Sequence, residues 1–230
     1  MAPLTFAPSE FQLEIKSEFK VQGGCKEFEA AFARRSMMLM RRLLGDERLT
    51  ELLQDEITAS DAYWKKTCAE SNGKWRASRI QVSPRGISIK DFHSWFMQEA
   101  TPDAEKVASH PEHWVINTLQ GSTDMSVLET LGDKVTLFKM TTVDDVPDFI
   151  DQVAEYPIKM KFRGFTEGKV HMAEVYHQFK ENADGQSFDA DLAVYFPAAC
   201  GDDLIETHRQ HLLVEFNNWF QQAYLAKQSS

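Results

Sequence analysis

Apolar and polar positions along the 230 residues alternate between two regimes, with helical spacing towards both ends and strand alternation between them. Residues 25–44 place Phe28, Ala31, Phe32, Leu39 and Leu43 near helical spacing with no proline, which predicts an amphipathic helix. Gly45 is expected to stop it, and Asp46 to cap a second helix running to about Cys68. Met37, Met38 and Met40 read as core filler rather than as ligands. Trp75 to Val82 then alternates loosely and ends in the turn Ser83-Pro84-Arg85-Gly86. Ser88 with Asp91 forms a capping-box pattern ahead of a short aromatic helix, DFHSWFMQEA, that stops at Pro102.

Strand signals dominate from His113 onward. HWVINTL, SVLETL and KVTLFKMTT are short, β-branched and separated by glycine-containing turns. Asp144-Asp145 ahead of Pro147 predicts one more short helix, VPDFIDQVA. Further on, Ile158, Met160 and Phe162 share one strand face, while Lys159, Lys161 and Arg163 share the other. In KVHMAEVYHQFK, His171 and His177 fall on one face, and Glu174 and Tyr176 on the opposite one. In SFDADLAVYFP, Phe188, Ala190, Leu192, Val194 and Phe196 form the apolar face, which leaves Asp189 and Asp191 expected in solvent. A last helix over 203–226, capped by Asp203 with Glu206, carries Ile205, Leu212, Phe216, Trp219, Phe220 and Ala223 as its apolar stripe.

This order predicts an α+β fold in which a curved antiparallel sheet grips a long C-terminal helix, with an N-terminal helical extension. The expected division is an arm and helices over 1–74, packed on a main α+β domain over 75–230. Composition agrees with a packed soluble chain, at 43% hydrophobic and 11% aromatic residues. The net charge of −10 argues against phosphate backbones and anionic membrane surfaces as partners. Cys25, Cys68 and Cys200 are odd in number with no CxxC, so neither a disulfide framework nor a thiolate metal site is signalled. No signal peptide is expected, and no apolar run approaches the roughly 18 residues of a membrane span. These readings place the protein in the cytoplasm. The stretch from Arg34 to Leu44 is either buried or a face for a homodimer.

The sharpest chemical pattern lies on the last helix. His208, His211 and Glu215 fall within roughly 60° of helical arc, beside the apolar stripe. His211 and Glu215 are an i, i+4 pair, so both can reach one cation, and a carboxylate beside Leu212, Phe216 and Trp219 needs a partner. The alternative is a solvated flank on which Glu215 simply meets His211. Further candidate ligands are Glu129, which alternates with Val127 and Leu131, and His110 and His113 in SHPEHW, the latter sharing parity with Val115 and Leu119. Glu99 closes the aromatic helix. Either strand pair, His171 with His177 or Glu174 with Tyr176, can supply a general acid and base. No GxGxxG, Walker A, GxSxG or HExxH is present, so nucleotide-cofactor and serine-triad chemistry find no support.

Over about residues 88–226 the chain resembles the diacetylphloroglucinol hydrolase and phloretin hydrolase family. The resemblance rests on DFHSWFMQEATPDAEKVASHPEH, on the glutamate of VLETLG and on HLLVEFNNWFQQAY. It implies a Bet v 1-like helix-grip fold and a Zn2+-dependent hydrolase that cleaves a carbon–carbon bond in an acylated phenol or polyketide-like ketone. His211 and Glu215 match the family's His-x-x-x-Glu ligand pair, and Glu129 its strand glutamate. The remaining histidine position falls at Glu99 by spacing, and at His113 or His110 by residue type. Tyr176 or His177 would protonate the carbon leaving group, and the aromatic residues would line a pocket for a flat hydrophobic substrate. The rival readings are a metal-free cyclase or pericyclase of secondary metabolism, and a non-catalytic carrier of small hydrophobic molecules.

Overall fold

The computed structural model describes residues 24–97, 103–119 and 121–229, and the chain divides after Ser36 into two units. In the first, the opening turns of helix α1 (Cys25–Leu52) stack Phe28 on Phe32 at 6.4 Å, with the Arg35 guanidinium 5.0 Å over the Phe32 ring. Gly45 breaks α1 at φ 71° and ψ 168°, a conformation open only to glycine. The expected stop is therefore there, but the helix resumes to Leu52 before α2 (Gln54–Ser71) begins. The methionine expectation is corrected, since Met38 and Met40 are exposed. Burial on this helix starts further along, where Leu49 joins Ile57 of α2 against the sheet residues Val115 and Leu128.

The second unit is built on seven strands: β1 (Trp75–Val82), β2 (His113–Thr118), β3 (Met125–Leu131), β4 (Lys134–Thr142), β5 (Ile158–Thr166), β6 (His171–Glu181) and β7 (Phe188–Pro197). They pair antiparallel throughout, in the spatial order β1-β7-β6-β5-β4-β3-β2. Only β1 leaves sequence order, because α3 (Ile89–Met97) and α4 (Asp103–Ala108) carry the chain from one edge of the sheet to the other. The curved sheet holds α5 (Asp202–Gln228) against its inner face, as the sequence pattern predicts. Ile205, Leu212, Phe216, Trp219, Phe220 and Ala223 are all buried there.

Side-chain chemistry fixes the ends of these elements. Ser88 and Asp91 exchange the two capping-box hydrogen bonds at α3, at 2.9 and 3.1 Å. The expected cap of α5 does not form: Gly201 occupies the N-cap without a side-chain bond, Asp202 pairs with Arg76 at 2.7 Å, and Glu206 turns to Arg209. At the other end of α5, Lys227 reaches Asp91 at 2.8 Å and ties the two helices together. Trp64 Nε1 and the Ser60 hydroxyl both meet Thr136 Oγ1, so α2 is pinned to β4 by buried polar contacts.

Two expectations fail on the outer face of the sheet, for one reason. Residues 143–157 do not form the predicted helix but run as a strap across that face. Their backbone donors are taken by the sheet's side chains: the Asp151 N–H donates to the Tyr195 hydroxyl at 2.9 Å and the Val153 N–H to Gln178 Oε1 at 2.8 Å. With Ile150 packed on Tyr176, Ala193 and Tyr195, the outer face becomes a second, smaller core. Asp191 is consequently 0% exposed rather than solvated, and both its carboxylate oxygens accept from the Arg79 guanidinium. The three cysteines are free thiols. Among the described residues no helix is long and apolar enough to cross a membrane.

Candidate metal centre

His113, the first residue of β2, is fully buried, and its Nδ1 lies 3.2 Å from the main-chain carbonyl of Lys106. A carbonyl only accepts, so Nδ1 carries the proton and Nε2 presents a lone pair inward. That nitrogen is 3.2 Å from His211 Nε2, 3.4 Å from Glu129 Oε2 and 3.3 Å from Glu215 Oε1. His211 Nε2 is 3.9 Å from Glu129 Oε2. An ion bound tetrahedrally at about 2.0–2.1 Å holds its ligand atoms about 3.3 Å apart. Two imidazole nitrogens and two carboxylate oxygens at this spacing suit zinc or a similar divalent cation.

Different elements bring these side chains together. Helical period places His211 and Glu215 on the inward side of α5. Alternation along β3 turns Glu129 to the same interior, opposite His113 in the strand register. His113 arrives there by another route than the parity expected of it. Trp114 is an extra residue between the pairs His113↔Glu129 and Val115↔Leu128, a bulge that sends Val115 to the outer-face cluster and leaves His113 inside. The solvated-flank alternative is thereby corrected, since His211 and Glu215 are both buried.

The electrostatics are those of a carboxylate pair lacking a counter-charge. Burial, with Glu215 and Glu112 nearby, pushes Glu129 well above the usual carboxylate range. Burial lifts Glu215 to about 7, against a pull downward from His211, and burial lowers His113 to about 4. A dication would reverse this by replacing several costly buried protonation choices with direct charge pairing.

His110 also lies within ligand range of His113 and His211. Its Nδ1, however, accepts from the Glu112 N–H at 3.1 Å, and its ring stacks on His211 at 3.8 Å and 24°. With Nδ1 accepting, Nε2 of a neutral His110 carries the proton, so this ring packs on His211 and offers no free lone pair to the donor set. Glu99 lies outside the described residues. Arg41, which the sequence reading passed over, donates to the carbonyls of Val107, His110 and Pro111 and holds the loop that delivers His113. Its partners are 66 to 70 residues away, beyond the reach of any local pattern.

The donor set opens on a cavity between the sheet and α5, walled by residues such as Phe96, Phe138, Met160, Phe162, Phe216 and Trp219. His177 and His208 also line it. Burial lowers His177 to about 3, its ring stands edge-on to Phe216 at 4.9 Å, and its buried Nδ1 has no hydrogen-bond partner. Tyr176 is corrected as a candidate acid. It faces the opposite side of the sheet, where its hydroxyl donates to Gln152 Oε1 at 3.1 Å. His171 also parts from His177, because the register shifts between Gly164 and Phe165. Its ring packs 4.7 Å from Trp75, and its Nε2 lies 2.9 Å from Glu174.

No family profile matches the chain, and no curated protein matches it. Solved structures do show similarity. An uncharacterised protein from Rhizobium leguminosarum shares 13% identity over 67% of this chain and 97% of its own, with a TM-score of 0.41. Ara h 8.0201 shares 10% over 65% of this chain and 98% of its own, at 0.46. A conserved protein from Geobacillus kaustophilus shares 12% over 63% and 93%, at 0.40.

Proposed function

We propose that this protein is a metal-dependent hydrolase that cleaves a carbon–carbon bond in a small aromatic or polyketide-like ketone. One observation carries the reading: His113, His211, Glu129 and Glu215 converge at ligand spacing on the wall of a buried aromatic cavity. These four residues would hold Zn2+ or a related dication. A cation so held supplies Lewis acidity, polarising a ketone carbonyl and acidifying a nearby water.

The chain supplies the rest. The Lys106 carbonyl keeps His113 in the binding tautomer. Phe96, Phe162, Phe216 and Trp219 clamp a flat ring and exclude bulk water from it. His177, neutral and unpartnered at Nδ1, is placed to relay a proton, one nitrogen taking the proton that the attacking water releases as the other delivers its own to the ring carbon. In the overall change, water adds across the bond, the acyl fragment leaves as a carboxylic acid and the aromatic carbon takes a proton.

A second reading, a metal-free cyclase or carrier, draws on the 3.2 Å contact between His113 and His211, which also closes as a simple hydrogen bond. Elemental analysis of tag-free protein after exhaustive dialysis separates the two. About one equivalent of zinc, with chromatographic release of acid from an acylphenol, supports the hydrolase. Absence of metal that added zinc does not restore supports the second.

A further inference from the structure

His208 shares the helix flank with His211 and Glu215 but belongs to neither the donor set nor the proton path. Its ring is fixed on three sides. Nδ1 lies 2.9 Å from Ser78 Oγ, Phe196 stands edge-on at 4.7 Å, and the His211 ring lies parallel at 5.7 Å. The Ser78 hydroxyl, itself buried on β1, donates to the Ile205 carbonyl at 3.3 Å. A hydroxyl has one proton to give, so both contacts are hydrogen bonds only if Ser78 accepts from His208 Nδ1–H. The hydrogen bonds of His208 among the described residues all run through Nδ1, so a second N–H at Nε2 would have no acceptor in this buried wall. Nε2 is then a bare lone pair on a side chain that lines the cavity, and among the described residues it has no hydrogen-bond partner.

We infer that His208 contacts the ligand as an acceptor of fixed polarity, taking a hydroxyl group of an aromatic guest beside the donor set. The inference rests on the reading of the cavity as a ligand site, but not on the metal. Ser78 is the positioning residue: it chooses which nitrogen of His208 keeps the proton. A ligand group that can only accept, such as an ether oxygen, meets lone pair against lone pair at this spot, so the wall discriminates a hydroxyl from its methyl ether.

The test uses chelator-treated, metal-free protein and two fluorescent probes, 2-naphthol and 2-methoxynaphthalene, titrated at pH 7. The ratio of their dissociation constants is the readout, because a residue that merely supports the fold would weaken both probes alike. The ratio in wild type is expected to favour the naphthol and to fall about tenfold in His208→Leu, the effect of one hydrogen bond. Ser78→Ala frees the tautomer and is expected to lower the ratio by about threefold, with little change in packing. An unchanged ratio in folded His208→Leu overturns the inference, and so does an unchanged ratio in Ser78→Ala should the first variant fail to fold. Equal binding of both probes by wild type overturns it while leaving the ligand cavity standing. Binding of neither probe overturns the cavity reading as well.

Discussion

A histidine that donates from Nδ1 to a main-chain carbonyl has a single lone pair left, and at His113 that lone pair lies within 3.4 Å of three other donor atoms. Each donor alone is expensive to bury, so the four are informative as a set. Replacing His211 by alanine is expected to drop zinc content from about one equivalent to under a tenth, measured by elemental analysis. The far-UV spectrum should stay near that of wild type, because His211 fills the wall of an existing cavity. At this scale the sequence was readable wherever a period governs. The alternation of Glu129 with Val127 and Leu131 points inward as read, and the spacing of His211 and Glu215 does so against the solvated-flank alternative. His113 resisted because its face depends on a bulge, and Lys106 because its contribution is a main-chain oxygen.

Among the elements, those whose backbone bonds close within themselves or with a neighbouring strand were the legible ones. Strand β1 falls on Trp75–Val82 as the alternation indicates, and the box at Ser88 and Asp91 opens α3. The strap over 143–157 was not legible, since side chains of Tyr195 and Gln178 take donors that a helix would have used. The turn between β3 and β4 gives a direct test. Gly132 sits at φ 68°, and a Cβ there would come within 3.2 Å of Leu204 Cγ and 3.4 Å of its Cα at the start of α5. Gly132→Ala should cost about 1–3 kcal/mol, read from the urea midpoint. The link between α3 and α5 gives another. Burial works to raise Asp91, but the hydrogen bonds from Lys227 and Ser88 outweigh it and bring it from 3.8 down to about 2. A carboxyl depressed on folding adds stability above its unfolded value and loses it as pH falls through the folded one. Asp91→Asn should therefore flatten the fall in urea midpoint between about pH 4 and 2.

Taken whole, the second unit packs three unequal clusters against one sheet: a broad aromatic interior under α5, a thinner one beneath the strap, and a third where Leu49 and Ile57 meet Val115 and Leu128. The interior keeps a cavity and four convergent donors, and one of them, His113, reaches it through the bulge in β2. Trp114 is the residue that puts β2 out of step. Strand parity works like a reading frame, and the bulge takes up Trp114 so that His113 and Val115, two residues apart, face opposite sides. Deleting Trp114 would make His113 and Val115 neighbours on a regular strand, which keeps His113 opposite Glu129 on the inner face. Such a deletion variant should keep both its sheet signal by circular dichroism and its wild-type zinc content by elemental analysis. Regular pairing with Trp114 kept in the strand would instead set Trp114 opposite Glu129 and turn His113 outward, so the bulge decides whether the centre is complete without the substitution of any ligand.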